Sequence, residues 1–239
     1  ADYYQSKVVL LVRHPADVAV SQFHQWRYRM RPRKKSINAY PEGEVSIAAS
    51  DAYAGLILPP ILKKLRRDEP RIRIQLVVSN TASDLLRREA DIAVRNFRPE
   101  EPDLVARKIR DAQARFYATP DYITSLGPVR TPADLSRAAF IAPDNPGLLI
   151  PVLNRFGFGL TEANFPIASD DYLVMWELVK RGHGIGMIDE RIGDAEPSVA
   201  TVLPGLAPLP FPVWLVAHRE IHRNRRLRVV FDALAEGLR

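Results

Sequence analysis

From residue 42 onward, hydrophobic positions recur in two rhythms that follow one another. Period-two alternation over Glu44–Ser50, with Val45, Ile47 and Ala49 on one face, predicts a strand. Asp51–Arg67, containing Leu56, Pro59-Pro60 and Leu62, predicts a helix stopped by Pro70, and Arg71–Val78 alternates again. Thr81–Ala90 predicts a helix, Asp91–Val94 a short buried strand, and Leu104–Ile109 and Ala114–Ala118 two further strands. A short helix at Pro120–Leu126 and a helical turn at Thr131–Leu135 come next. The segments Phe140–Ala142, Ile150–Phe156, Phe165–Ala168, Tyr172–Arg181, Ile185–Ile188 and Pro212–Ala217 continue the alternation. Arg223–Leu238 closes the chain as an amphipathic helix with Leu227, Val230, Phe231 and Leu234 on one face. Strands alternating with helices predict parallel βαβ units, an α/β fold.

The first 42 residues have another texture. Lys7–Val12 predicts a short buried strand, and Pro15 stands where a helix begins, since its fixed φ suits a first turn. Ala19, Phe23, Trp26 and Met30 then share one helical face. Arg27–Lys35 follows with six basic residues and no acid, which reads as a solvated linker or as an anion-binding surface.

Composition narrows the classes. The chain has 239 residues, 46% apolar and 26% charged, as expected of a folded globular protein. No apolar run approaches the length of a transmembrane helix, and Arg13 and His14 cut the Lys7–Val12 run short of a secretory signal. The absence of cysteine excludes disulfides, thiolate metal sites and a cysteine nucleophile, and fits a cytoplasmic setting. The formal charge of +6 sits entirely in residues 1–38, which hold eight basic residues and two acids; the remainder is balanced. The main body therefore gives no reason to expect a nucleic-acid surface.

Several stretches carry a family likeness. Gly43-Glu-Val-Ser-Ile47, Leu58-Pro-Pro-Ile-Leu62 and Pro70-Arg-Ile-Arg-Ile74 resemble the opening of the effector-binding domain of LysR-type transcriptional regulators. Asp84–Arg95 is the most specific stretch. Tyr117–Tyr122, Thr131–Leu135 and Leu178–Gly186 follow in the family's order, so that the resemblance spans residues 43–239. It implies a periplasmic-binding-protein-like fold of two α/β subdomains with a cleft between them. Subdomain I is then residues 43–111 plus 217–239, and subdomain II residues 112–216. It further implies a small-molecule effector, a homodimer with the helix Ala54–Arg67 supplying a face, and no enzymatic activity, cofactor or membrane.

Strand ends nominate the cleft residues, because open α/β sheets bind ligands beyond the carboxyl ends of their strands. Ser50 and Asp51 follow the first strand, and Ser79, Asn80 and Thr81 the second. The last three serve equally well as helix N-caps, and the two roles are compatible. Arg95 ends the third strand, placed to pair with an effector carboxylate or with an acid such as Asp91. Ser169 and Asp170 face the same cleft by analogy, while the Asp170-Asp171 pair suits capping of the next helix. Gly182, Gly184 and Gly186 lie after a helix and before a strand, which suits a helix C-cap and tight turn rather than a dinucleotide site. No metal site is expected at His183, His218 or His222.

Residues 1–42 look like something else. Val8–Phe23 resembles the 3′-phosphate-binding segment of sulfotransferases that use 3′-phosphoadenosine 5′-phosphosulfate, with Arg13 and Ser21 matching the residues that grip the phosphate. The alternative function is therefore a sulfotransferase-derived protein that binds this nucleotide. The family's other essentials are missing from the sequence, as is the winged helix-turn-helix through which LysR-type regulators reach DNA. The chain accordingly reads as a fusion with a seam near Tyr40–Glu44.

Overall fold

The computed structural model describes residues 43–80, 90–99, 104–143, 145–219, 221 and 224–239. All of them belong to one unit, Ala39–Arg239. The strand and helix proposed for residues 1–42, the Thr81–Ala90 helix up to residue 89, and Arg13, Ser21 and Thr81 lie outside the described residues.

Strand β1 (Gly43–Ala49) is flanked in parallel by β2 (Ile72–Val78) and β3 (Ile92–Arg95). The long strand β4 (Leu104–Ala118) pairs antiparallel with β7 (Gly186–Asp189), β8 (Ala200–Thr201) and β9 (Leu209–His218), and β9 also pairs antiparallel with β3. The sheet order is β2-β1-β3-β9-β4-β7, with β8 on β4. A separate parallel pair, β5 (Ile141–Ala142) and β6 (Ile167–Ala168), completes the described strands. The expected parallel pairing holds for β1–β3 and for β5–β6, whereas the joining strands run antiparallel.

Two differences from the sequence expectation matter for the site. Leu104–Ile109 and Ala114–Ala118 are one strand, whose register shifts between Lys108 and Arg110. β9 begins three residues before Pro212 despite Pro210 and Pro212. Proline is tolerated because this half of β9 pairs only with β4; β3 joins from Trp214 onward.

The helix over residues 51–68 widens at Tyr53–Ile57 into a π-helical turn before the regular α1 (Leu58–Asp68). Pro59 and Pro60 lack the N–H groups that would bond the preceding turn, which explains the widening. The other α-helices among the described residues are α2 (Pro120–Ser125), α3 (Leu149–Arg155), α4 (Tyr172–Lys180), α5 (Glu190–Gly193) and α6 (Arg225–Gly237).

Two separate cores mark two lobes. Val45, Ile47, Ile92, Leu215, Val230 and Leu234 are fully or nearly fully buried in the first, between the sheet, α1 and α6. Phe116, Leu135, Phe140, Leu153, Phe158 and Ile185 fill the second. A smaller cluster joins Ala52 of the first helix to Tyr117, Met175, Trp176 and Ile192. This is a mixed α/β, periplasmic-binding-protein-like arrangement, with β4 and β9 running through both lobes.

Candidate functional site

A cavity of about 450 Å³ lies where the carboxyl ends of β1, β2 and β3 face β7, α4 and the start of β9. Ser50, Ser79, Asn80 and Arg95 line it on the first-lobe side. Tyr172, Met187, Ile188 and Asp189 line it on the other side, and Leu209, Pro210 and Phe211 close one end. A few polar groups thus converge on an otherwise apolar pocket, the usual composition of a small-molecule site.

Two polar networks tie the walls together. Asp51, buried, accepts hydrogen bonds from the Ala52 N–H (2.6 Å), from Asn80 Nδ2 (3.0 Å) and from the Tyr172 N–H at the start of α4 (2.7 Å). Asn80 also donates to the Asp170 carbonyl (2.8 Å). The loop ends of β1 and β2 are thereby clasped to the N-terminus of α4.

The second network centres on Asp189. Its Oδ2 accepts from Tyr53 Oη (2.8 Å) and from Arg110 Nη2 (2.6 Å), and its Oδ1 accepts from the Arg191 N–H (3.0 Å) at the start of α5. The ion pair is shielded, with side-chain exposures of 14% for Arg110 and 2% for Asp189. Burial, and then the Asp189 carboxylate beside it, push the Tyr53 phenol well above the usual tyrosine range. Tyr53 therefore keeps its proton and donates it in a hydrogen bond, and Asp189 is occupied on both oxygens.

The sequence-nominated residues divide accordingly. Ser50, Ser79, Asn80 and Arg95 are brought together on one cavity. Asp51 sits behind its wall, with its carboxylate engaged by N–H donors. Ser169 Oγ accepts from the Asp171 N–H, and Asp171 caps α4 through the Val174 N–H. Asp170 meets the site through its backbone carbonyl.

Comparison with known proteins decides the family. The model of the LysR substrate binding domain matches residues 38–239. The chain belongs to the LysR substrate-binding domain family. Among curated relatives, the HTH-type transcriptional regulator CrgA of Neisseria meningitidis serogroup B is 26% identical over 210 residues, covering 85% of this chain and 70% of that protein. The HTH-type transcriptional regulator DmlR of Escherichia coli is 22% identical over 248 residues, covering 96% and 80%. The CrgA regulatory domain superposes with a TM-score of 0.74 at 24% identity, over 83% of this chain and all of that one. Full-length AphB of Vibrio cholerae gives 0.69 at 17% identity, over 93% and 76%. The matched region is the effector-binding domain of a LysR-type regulator. These relatives lend no support to the nucleotide reading of Arg13 and Ser21.

Within this LysR domain, sequence reasoning missed Asp189 and Tyr53. Asp189 was legible: it ends β7, and the strand-end rule reaches it once the strand extends one residue past Ile188. Tyr53 was not, because its approach to Asp189 depends on the π-helical turn. Gly182 and Gly184 have φ of +77° and +156° and end α4 in a tight turn, with the Gly182 N–H bonded to the Val179 carbonyl.

Proposed function

We propose that this LysR domain senses a small-molecule effector held between its lobes, residues 43–111 plus 217–239 on one side and 112–216 on the other. The cavity whose polar groups come from both walls carries the reading: a ligand touching Ser50, Ser79 and Arg95 together with Tyr172 favours the closed arrangement. The effector is bound and not transformed. Asp189 is held by Arg110 and Tyr53, an arrangement that shapes the cavity instead of moving protons. Pairing into a homodimer through the 54–67 face, where Leu56, Pro59 and Pro60 are exposed, would carry closure to DNA-reading domains.

A thermal-shift screen over small aromatic and aliphatic carboxylic acids tests this. A true effector at a hundredfold its Kd should add roughly 2.7 kcal/mol of stability, and Ser79→Val should abolish that gain. If no acid stabilises the chain, or if the variant responds as the parent does, the proposed site is wrong.

A further inference from the structure

The cleft continues past the first cavity. β5 and β7 are joined by the Phe140–Ile185 bridge, where the Ile141 N–H donates to the Ile185 carbonyl (2.8 Å), and then part. Ile141 and Ala142 go on to pair with β6, while Gly186–Asp189 pair with β4. The wedge between them is a second cavity of about 370 Å³, floored by Met175, Trp176 and Val179 of α4 and rimmed by Leu148 and Leu149.

Its described lining contains no charged residue, and Asn145 already accepts from the Gly147 N–H through Oδ1. Three large apolar side chains on it are left exposed: Leu148 at 78%, Tyr172 at 41% and Met187 at 38%. Exposed apolar groups clustered around the opening of a cavity are what a groove for an apolar ligand presents.

Tyr172, Met187 and Ile188 line both cavities. Two of these three are the partly exposed Tyr172 and Met187, and methionine's unbranched chain changes rotamer easily. The partition is thus partly made of side chains that move without the backbone. Joined, the two spaces stay within the roughly 300–1,000 Å³ of small-molecule sites.

We infer that the effector is an elongated amphiphile, with an anionic head among Ser50, Ser79 and Arg95 and an unbranched apolar chain running past Tyr172 and Met187 into the second cavity. This rests on reading the first cavity as the effector site. The first cavity surrounds the head with the Ser50 and Ser79 hydroxyls and the Arg95 guanidinium; the second surrounds the tail mostly with apolar surface, its polar side-chain groups being the Asn145 amide, the Tyr172 hydroxyl and the Trp176 indole N–H.

Calorimetry of the whole chain with straight-chain carboxylates from butanoate to decanoate tests the inference, alongside Leu148→Trp and Ser79→Val. Affinity should tighten by about fourfold per methylene once the chain enters the second cavity, then level off. Leu148→Trp, at a position where the fold tolerates change, should remove the gain for octanoate and decanoate and leave butanoate unaltered. Affinity independent of length, or a length gain equally present in Leu148→Trp, overturns the inference. In either case the first cavity stands if Ser79→Val still abolishes butanoate binding. If none of the series binds, the amphiphile is excluded outright, and the first cavity is judged by the broader acid screen.

Discussion

Three elements meet at Asp189: the first helix through Tyr53, the long strand β4 through Arg110, and α5 through the Arg191 N–H. Arg110→Met leaves this buried carboxylate without its cation and should cost about 3–5 kcal/mol, read from urea unfolding. A loss under about 1 kcal/mol would mean that solvent screens the pair as it does at a surface. Asp134 offers a pH test. The Arg130 and Thr131 backbone N–H groups and the Thr131 hydroxyl hold its carboxyl below the usual range. A lowered folded pKa adds stability above the unfolded value of ~3.9, and that stability is lost as pH falls through the folded value. Asp134→Asn should therefore destabilise the chain at neutral pH, with the gap to the parent closing in acid. Urea midpoints across that range check it, and a gap that does not change with pH contradicts it.

Among the elements, the turn after α4 is tightly constrained by backbone. A Cβ on Gly184 would stand 2.7 Å from the Ala139 carbonyl oxygen, at a backbone φ of +156°. Gly184→Ala should cost more than about 1 kcal/mol in chemical unfolding; a neutral outcome would show that the β5–β7 junction yields freely. The same level shows what was legible. Alternation located β1 and β2, a short buried run located β3, and helical periodicity located the final helix, each of which packs against the first core. It split β4 because Arg110, Asp111 and Gln113 interrupt the apolar rhythm. The continuity comes from pairing with β9 on one side, and Arg110 finds its partner in Asp189, far along the chain. The strand-end rule likewise nominated Ser50, Ser79, Asn80 and Arg95, which line one cavity, while Tyr53 needed a helix geometry that hydrophobic patterning does not encode.

At the scale of residues 39–239, the two cores mark two lobes that share strands β4 and β9, and the Asp51–Asn80–Tyr172 clasp holds one side of the opening between them. Asn80→Ala removes its donors to Asp51 and to Asp170 and should shift the population toward a wider cleft, seen as an increased radius of gyration in X-ray scattering. An unchanged radius would place the closing force elsewhere, in the Tyr53–Asp189 contact. Exposed Leu56 on the proposed dimer face gives a second test at this scale: Leu56→Asp should turn a dimer into a monomer in sedimentation, and a parent that is already monomeric refutes that face. The most direct measurement is a crystal structure with the best stabilising acid bound. The account predicts density for that acid between the lobes, in contact with Ser50 or Ser79 on one wall and Tyr172 or Met187 on the other. Density confined to the outer surface, with this cavity empty at saturating ligand, would contradict it.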